Sequence, residues 1–246
     1  LKELGRKFKG AFLAGGALTS VFTNKPIQDF DLYFKSKAAF LDALVDAYDY
    51  GYWCVSLTSR CITFVKDKQT IQLMHFGFFP TADDIFASFD FTCCMAALDL
   101  DDDSLHFHDD FLSDTSKREL VFNHGTAFPI ASGIRVAKYQ DKGFSIRKLQ
   151  WLKILIACNF KQVETWEQLQ EQLGGSYGDV MKLASDKPYC LESAIEALDN
   201  ARVDSKSEQE IPANSDDALN VLDPLATLPA SAIEAEAKIS NLTQSV

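Results

Sequence analysis

The sequence predicts an α+β fold: a mixed sheet with flanking helices, followed by a helical C-terminal region. Three observations predict it. Up to about residue 125, short β-branched and aromatic runs alternate with helical stretches and Gly, Pro or Asp turns. From Ile130 onward the apolar spacing switches to three and four residues. Residues 11–34, AFLAGGALTSVFTNKPIQDFDLYF, read as strand, Gly-Gly turn, short helix and second strand. The expected division is 1–125 for the α/β domain, 126–202 for the helical domain and 203–246 for an acidic arm that is flexible or partner-binding.

In order, residues 10–14 form the first strand and 17–22 a short helix that Pro26 keeps from continuing. Residues 29–35 are the second strand. Ser36 then caps a helix through about Tyr48, with Phe40, Ala43, Leu44 and Ala47 at helical spacing, and Gly51 ends it. Strands follow at 52–57, 60–65 and 69–76. Pro80 opens a helix over 81–87, with Asp83 and Asp84 in its first turn. The apolar run 89–100 reads as one long strand with Cys93 and Cys94 on opposite sides. Asp101-Asp102-Asp103 makes a solvated turn into a strand at 105–108, followed by a helix near 109–117 and an extended piece at 120–123. Helices are expected at 131–142, 145–160, 164–172, 177–184 and 189–202. In the second of these Ile146, Leu149, Leu152, Leu155 and Ile156 mark an amphipathic face.

Composition narrows the function. An apolar fraction of 47% and 19 Phe fit a globular, ring-rich core. No apolar run is long enough for a membrane span, and the opening LKELGRKFKG has no apolar signal core, so a cytoplasmic protein is expected. The six cysteines lack CxxC spacing, which favours buried free thiols over zinc or disulfides. The net charge of −11 argues against a general nucleic-acid coat, but more than half of it, −6, lies in residues 203–246. The four histidines have no ligand spacing and read as structural.

The chemistry concentrates in residues 11–34. Side chains two apart on a strand share a face, so Asp29 and Asp31 project together. Two adjacent carboxylates repel unless a cation lies between them, and Mg²⁺ takes one or two such ligands plus substrate phosphates. Gly15 and Gly16, lacking Cβ atoms, let a phosphate chain approach the backbone at the start of the following helix.

The Gly15-Gly16 turn and Asp29-Phe-Asp31 strand resemble the head motif of the polymerase-β-like nucleotidyltransferase superfamily. Residues 89–97, FDFTCCMAA, are similar to the RRDFT strand of tRNA nucleotidyltransferases and poly(A) polymerases. Arg135 through Phe144 looks like their Arg-rich helix ending in Gly-Phe. The pattern is similar, more closely, to small nucleotidyltransferase-like proteins of tailed bacteriophages, with Ile71-Gln72-Leu73 and Leu152-Lys153-Ile154 as further counterparts. The resemblance implies a two-metal Mg²⁺ site on Asp29 and Asp31, an NTP with its phosphates on Gly15 and Gly16, and nucleotide contacts from Gln72, Arg135 and Lys138. Gln72 stands where the family carries a third acid and cannot act as a base. Asp90 is a third ligand, a ribose contact or a structural hydrogen-bonding group. Arg135 and Lys138, one helical turn apart, hold a triphosphate or nucleic-acid backbone, or form a solvated basic face.

Two readings follow. One is a metal-dependent nucleotidyltransferase with an RNA, protein or small-molecule acceptor. The other is a catalytically degenerate relative acting in the infected host cell or the virion, with the acidic arm docking a phage or host partner. The two Arg that precede the family's strand Asp are Ser88 and Phe89 here. Residues 130–133 stand where the family has a Glu-Asp pair before the Arg-rich helix, so a CCA-adding activity is unexpected.

Overall fold

The computed structural model describes residues 7–178 and 186–200. The chain divides into two units, Leu1–Ala201 and Arg202–Val246; the second, with the expected acidic arm, lies outside the described residues. So does most of the helix expected at 177–184.

A seven-stranded mixed sheet organises the first unit, in the order β3-β4-β5-β2-β1-β6-β7. Its strands are β1 (Ala11–Ala14), β2 (Phe30–Phe34), β3 (Trp53–Leu57), β4 (Cys61–Lys66), β5 (Gln69–Met74), β6 (Ala96–Asp99) and β7 (Leu105–Phe107). Every neighbouring pair is antiparallel except β2 with β5, which run parallel. Strand β1 is buried throughout, as its all-apolar sequence requires of a strand covered on both faces.

The helices are α1 (Gly16–Phe22), α2 (Lys37–Asp49), α3 (Ala82–Ser88), α4 (Phe111–Lys117), α5 (Pro129–Asp141), α6 (Lys148–Phe160), α7 (Trp166–Gly178) and α8 (Leu191–Asn200). Their ends follow local chemistry. Ser36 accepts a hydrogen bond from the Ala39 amide at the start of α2, and Gly51, at φ +76°, follows its end. Thr81 and Asp84 form a reciprocal capping box on α3. Pro129 opens α5.

The expected strand at 89–100 is broken. Phe91 makes a single bridge to Phe122, residues Thr92–Cys94 form a 3-10 turn, and only Ala96–Asp99 joins the sheet. Hydrogen bonds anchor the turn: Thr92 donates to the Asp114 carboxylate, and Thr19 donates to the Cys93 carbonyl at 2.8 Å. Cys93 and Cys94 are consequently both buried, rather than on opposite faces of a strand. The run looks continuous in sequence because turn and strand are equally buried. The triple-Asp turn is also more than a solvated loop. Lys35 lies 2.7 Å from a carboxylate oxygen of both Asp99 and Asp101, and Asp101 accepts the Gly10 amide at 2.8 Å. These contacts pin the end of β2 to the β6–β7 turn.

The helix expected at 145–160 starts late. Ser145–Ile146 (β9) pairs in parallel with Glu119–Leu120 (β8), and Arg147 closes the junction by an ion pair with Glu119. The expected amphipathic face of α6 points outward, with Leu149 72% and Leu155 61% exposed, while Ile154 is the buried residue. Apolar side chains run nearly all round this helix, so spacing alone did not single out the inward stripe.

One apolar cluster spans the position where the α/β and helical regions were expected to part. It joins Phe91, Cys93 and Cys94 to Leu120, Phe122, Val136, Tyr139, Phe144 and Ile154. Phe91 is its centre, edge-on to Phe122 at 6.4 Å and to Tyr139 at 5.5 Å. Phe91→Ala should therefore cost about 3–5 kcal/mol, read from the urea midpoint; a loss below about 1 kcal/mol would show that the two regions are not held by this cluster.

Candidate active site

The site is a cleft of about 240 Å³ lying between the ends of β1, β2 and β5 and the face of α5. Gly15, Gly16, Asp29, Asp31, Gln72, Asp90, Arg135 and Lys138 all line it, whereas Lys25, a minor phosphate-contact candidate in the turn before Asp29, is not among the lining residues. Asp31 lies inside β2, paired with Ala14 of β1. Asp29 precedes the first residue of the strand rather than lying within it. The two carboxylates are nevertheless close enough for Asp29 to raise the Asp31 pKa.

Gly15 has φ +82°, a conformation that only glycine adopts without strain. A Cβ there would lie 3.8 Å from Asp31 Oδ2 and 3.6 Å from the Phe89 ring, whereas one on Gly16 would meet nothing within 4 Å. Gly15 thus turns the chain beside the carboxylate, and Gly16 leaves open space at the start of α1. No side chain caps that helix start.

Asp31 carries the main electrostatic tension. Its Oδ1 is buried without a hydrogen-bond partner. Burial first, and the Asp29 charge second, lift its pKa from 3.8 to about 7; Arg135, Lys138 and Lys142 pull the other way. A bound cation would satisfy the orphaned oxygen and relieve the repulsion, so the pair fits a hard divalent ion that completes its shell with substrate oxygens. Among the described residues, no three His, Cys, Asp or Glu converge as a larger metal-holding group.

The parallel pairing of β2 with β5 sets Gln72 beside Asp31. An amide therefore stands beside Asp31, where the resemblance led to the expectation of a third acid. Asp90, only 3% exposed, is engaged elsewhere: Arg135 Nη1 lies 3.1 Å from its Oδ2, an ion pair by distance without hydrogen-bond alignment. That carboxylate holds the Arg135 guanidinium firmly charged. The pair joins the segment before the 3-10 turn to α5, so both residues have a structural partner at the cleft wall.

Among the lining residues that the sequence reading did not single out, Lys142, Tyr33 and Arg60 bear on the chemistry. Lys142 follows Lys138 by one helical turn and extends the basic wall; burial, then Lys138, lowers its pKa. Its spacing from Arg135 and Lys138 was the available signal. Tyr33, buried beneath Asp31, packs edge-on against Phe76, Phe79 and Phe89. Arg60, in the β3–β4 turn, also faces the cleft, and no motif marks it.

Solved structures share this architecture. The "tRNA-processing enzyme (apo form I)" matches 82% of this chain and 55% of its own, at TM-score 0.53 and 16% identity. The Thermotoga maritima CCA-adding enzyme complexed with tRNA_CCA matches 80% and 49%, also at TM-score 0.53 and 16% identity. A CCA-adding enzyme complex with CTP matches 69% and 46%, at TM-score 0.53 and 14% identity. The fold is the polymerase-β-like nucleotidyltransferase fold. Within it, residues 2–118 match the family model "Gad2: Gabija anti-defense 2 family protein". The Bacillus phage SPbetaL7 protein "Gabija anti-defense 2" is 37% identical over 229 residues, 89% of this chain and 57% of that protein. The chain therefore spans little more than half the length of that phage relative. Among the described residues no helix is long and apolar enough to cross a membrane.

The raised Asp31 pKa gives a signed test. The folded state binds more protons than the unfolded chain between about pH 4 and pH 7, so stability is highest below that window and falls as pH rises through it. Asp31→Asn should therefore melt higher than wild type at about pH 8 in EDTA, by a few kcal/mol at most, and equally at about pH 4. Mg²⁺ should raise the wild-type Tm at the higher pH and leave that of Asp31→Asn unchanged. A variant that melts lower at high pH would contradict the assigned tension.

Proposed function

We propose that this chain is a metal-dependent nucleotidyltransferase serving phage counter-defence, the role for which its SPbetaL7 relative is named. The observation that carries the proposal is the meeting of an orphaned carboxylate oxygen, an open glycine turn and a basic helix in one cleft. An NTP would place its phosphates against Gly15 and Gly16, with Lys138 and Lys142 neutralising charge across from them. Asp29 and Asp31 would hold two Mg²⁺. Bound Mg²⁺ supplies Lewis-acid activation of the acceptor oxygen and neutralisation of the leaving pyrophosphate. The protein's share is mainly positioning and fixed charge. The acceptor oxygen forms a bond to the α-phosphorus as the bond to the β-phosphate bridge breaks. RNA and protein are both acceptor classes on this reading, and the infected-cell cytoplasm is the place of action.

A second reading rests on Gln72 beside Asp31 and on the Asp90–Arg135 pair, which together leave no third free acid at this wall among the described residues. On that reading the fold binds nucleotide or a host partner without turnover, as an interaction component inside the cell or on the virion.

Asp29→Asn combined with Asp31→Asn separates the two. The transferase reading expects incorporation from α-labelled NTP to fall by at least about 100-fold, and protection of a phage from a Gabija-carrying host to fall with it. Full protection by the double variant would transfer the case to the second reading.

A further inference from the structure

Arg60 borders the cleft, and the transferase scheme leaves it without a role. Its backbone is fixed on both sides: its amide donates to Thr58 Oγ1 at 3.2 Å, and its carbonyl accepts the His75 amide at 2.9 Å. Its guanidinium carbon lies 4.0 Å from the Phe76 ring centroid and 4.4 Å from that of Phe128. One ring follows β5 and the other precedes α5, so the guanidinium bridges the sheet and the helical region. These cation–π contacts use the faces of the rings and supply no acceptor atom, so the five N–H donors have no acceptor among the described residues. Among the described residues the guanidinium has no hydrogen bond or ion pair, and burial lowers its pKa. Glu171 acts on it only through space, so a half-buried cation without a bonded counter-ion borders the cleft and can meet an anion there.

The neighbouring chemistry says which anion. A hydroxyl acceptor must lose a proton to become a nucleophile, yet the amide of Gln72 stands beside Asp31, and Asp90 is held by Arg135. On the transferase reading Asp29 and Asp31 would hold the cation. A phosphate monoester needs no base, because at neutral pH it is already an oxyanion. Phe76 and Phe128 are both partly exposed and border the guanidinium, a combination of ring surface and phosphate donor that matches a nucleotide better than a phosphorylated side chain.

Building on the transferase reading, we propose that the acceptor is a nucleotide or nucleic-acid end carrying a phosphate monoester, and that Arg60, clamped by Phe76 and Phe128, holds that phosphate for attack. A phosphate oxygen of the acceptor forms the bond to the α-phosphorus of the NTP. The α–β bridging bond breaks, its electron pair leaves with pyrophosphate, and no proton is transferred. The product is a phosphoanhydride, so one anhydride replaces another.

Calorimetry with AMP, a 5′-phosphorylated tetranucleotide and the same tetranucleotide with a 5′-hydroxyl tests the site. The phosphorylated oligomer should bind about tenfold more tightly than its hydroxyl form. Arg60→Met, which keeps an apolar stem between the rings, should erase that difference, and Arg60→Lys should keep part of it. Asp29→Asn with Asp31→Asn should leave the difference in place, because the phosphate grip does not use the metal ligands. AMP binding as tight as that of the phosphorylated oligomer assigns a free mononucleotide; weaker AMP binding assigns a nucleic-acid end. Equal binding of both oligomers, or an unchanged preference in Arg60→Met, overturns the proposal. With α-labelled NTP and Mg²⁺, label should appear on the phosphorylated oligomer in a phosphatase-resistant, pyrophosphatase-sensitive linkage. Label on the hydroxyl form alone also overturns it. A phosphate preference that tracks Arg60 without any labelling by wild type would count against the transferase reading while leaving the Arg60 grip in place.

Discussion

A strand buried on both faces must be apolar from end to end and must stop where polar chemistry begins. Strand β1 meets that constraint with Ala11–Ala14 and then breaks at Gly15. The break puts a left-handed glycine against Asp31, the residue that pairs with the last position of β1. On its other side β1 pairs with β6, whose preceding segment carries Asp90 and the 3-10 turn. The cleft is therefore a product of where one four-residue strand ends. Its acids come from the segments beside that strand, and its bases come from a helix fastened by the aromatic cluster around Phe91.

The balance of charge follows from this placement. Two acids meet at the strand ends, and burial makes one of them hold its proton far above the ordinary carboxylate range. Three bases on α5 and its end face them, but the first is neutralised by Asp90 and the third is itself disfavoured by burial and by its neighbour. Neither set is fully compensated by the other. That residual imbalance is what a ligand carrying both metal and phosphate would resolve, since it brings opposite charge to each wall.

Much of this was legible in the sequence. Glycine, acid spacing and helical periodicity are local signals, so Gly15, Asp31, Ser36, Gly51 and the basic face of α5 could be read without coordinates. The segment at 89–100 could not, because burial is shared by strand and turn alike and the deciding hydrogen bonds come from Thr19 and Asp114, distant in sequence. The inward stripe of α6 was hidden by apolar residues on nearly every side. Asp90 lined the cleft as read, but its tie to Arg135 is a tertiary contact with no local trace. Arg60 was invisible for the same reason: an arginine in a turn is ordinary until two rings from different parts of the chain close over it.

The clamp on Arg60 also has a mechanical meaning. Phe76 follows the last residues of β5 and Phe128 precedes α5, so a molecule held there would touch both and tie them together. By linkage, whatever binds only the folded form raises the free energy of separating those parts by an amount that grows with the logarithm of its concentration. On the proposed reading the cleft would work as a joint as well as a site, with occupancy stiffening the protein across the same line that the Phe91 cluster bridges.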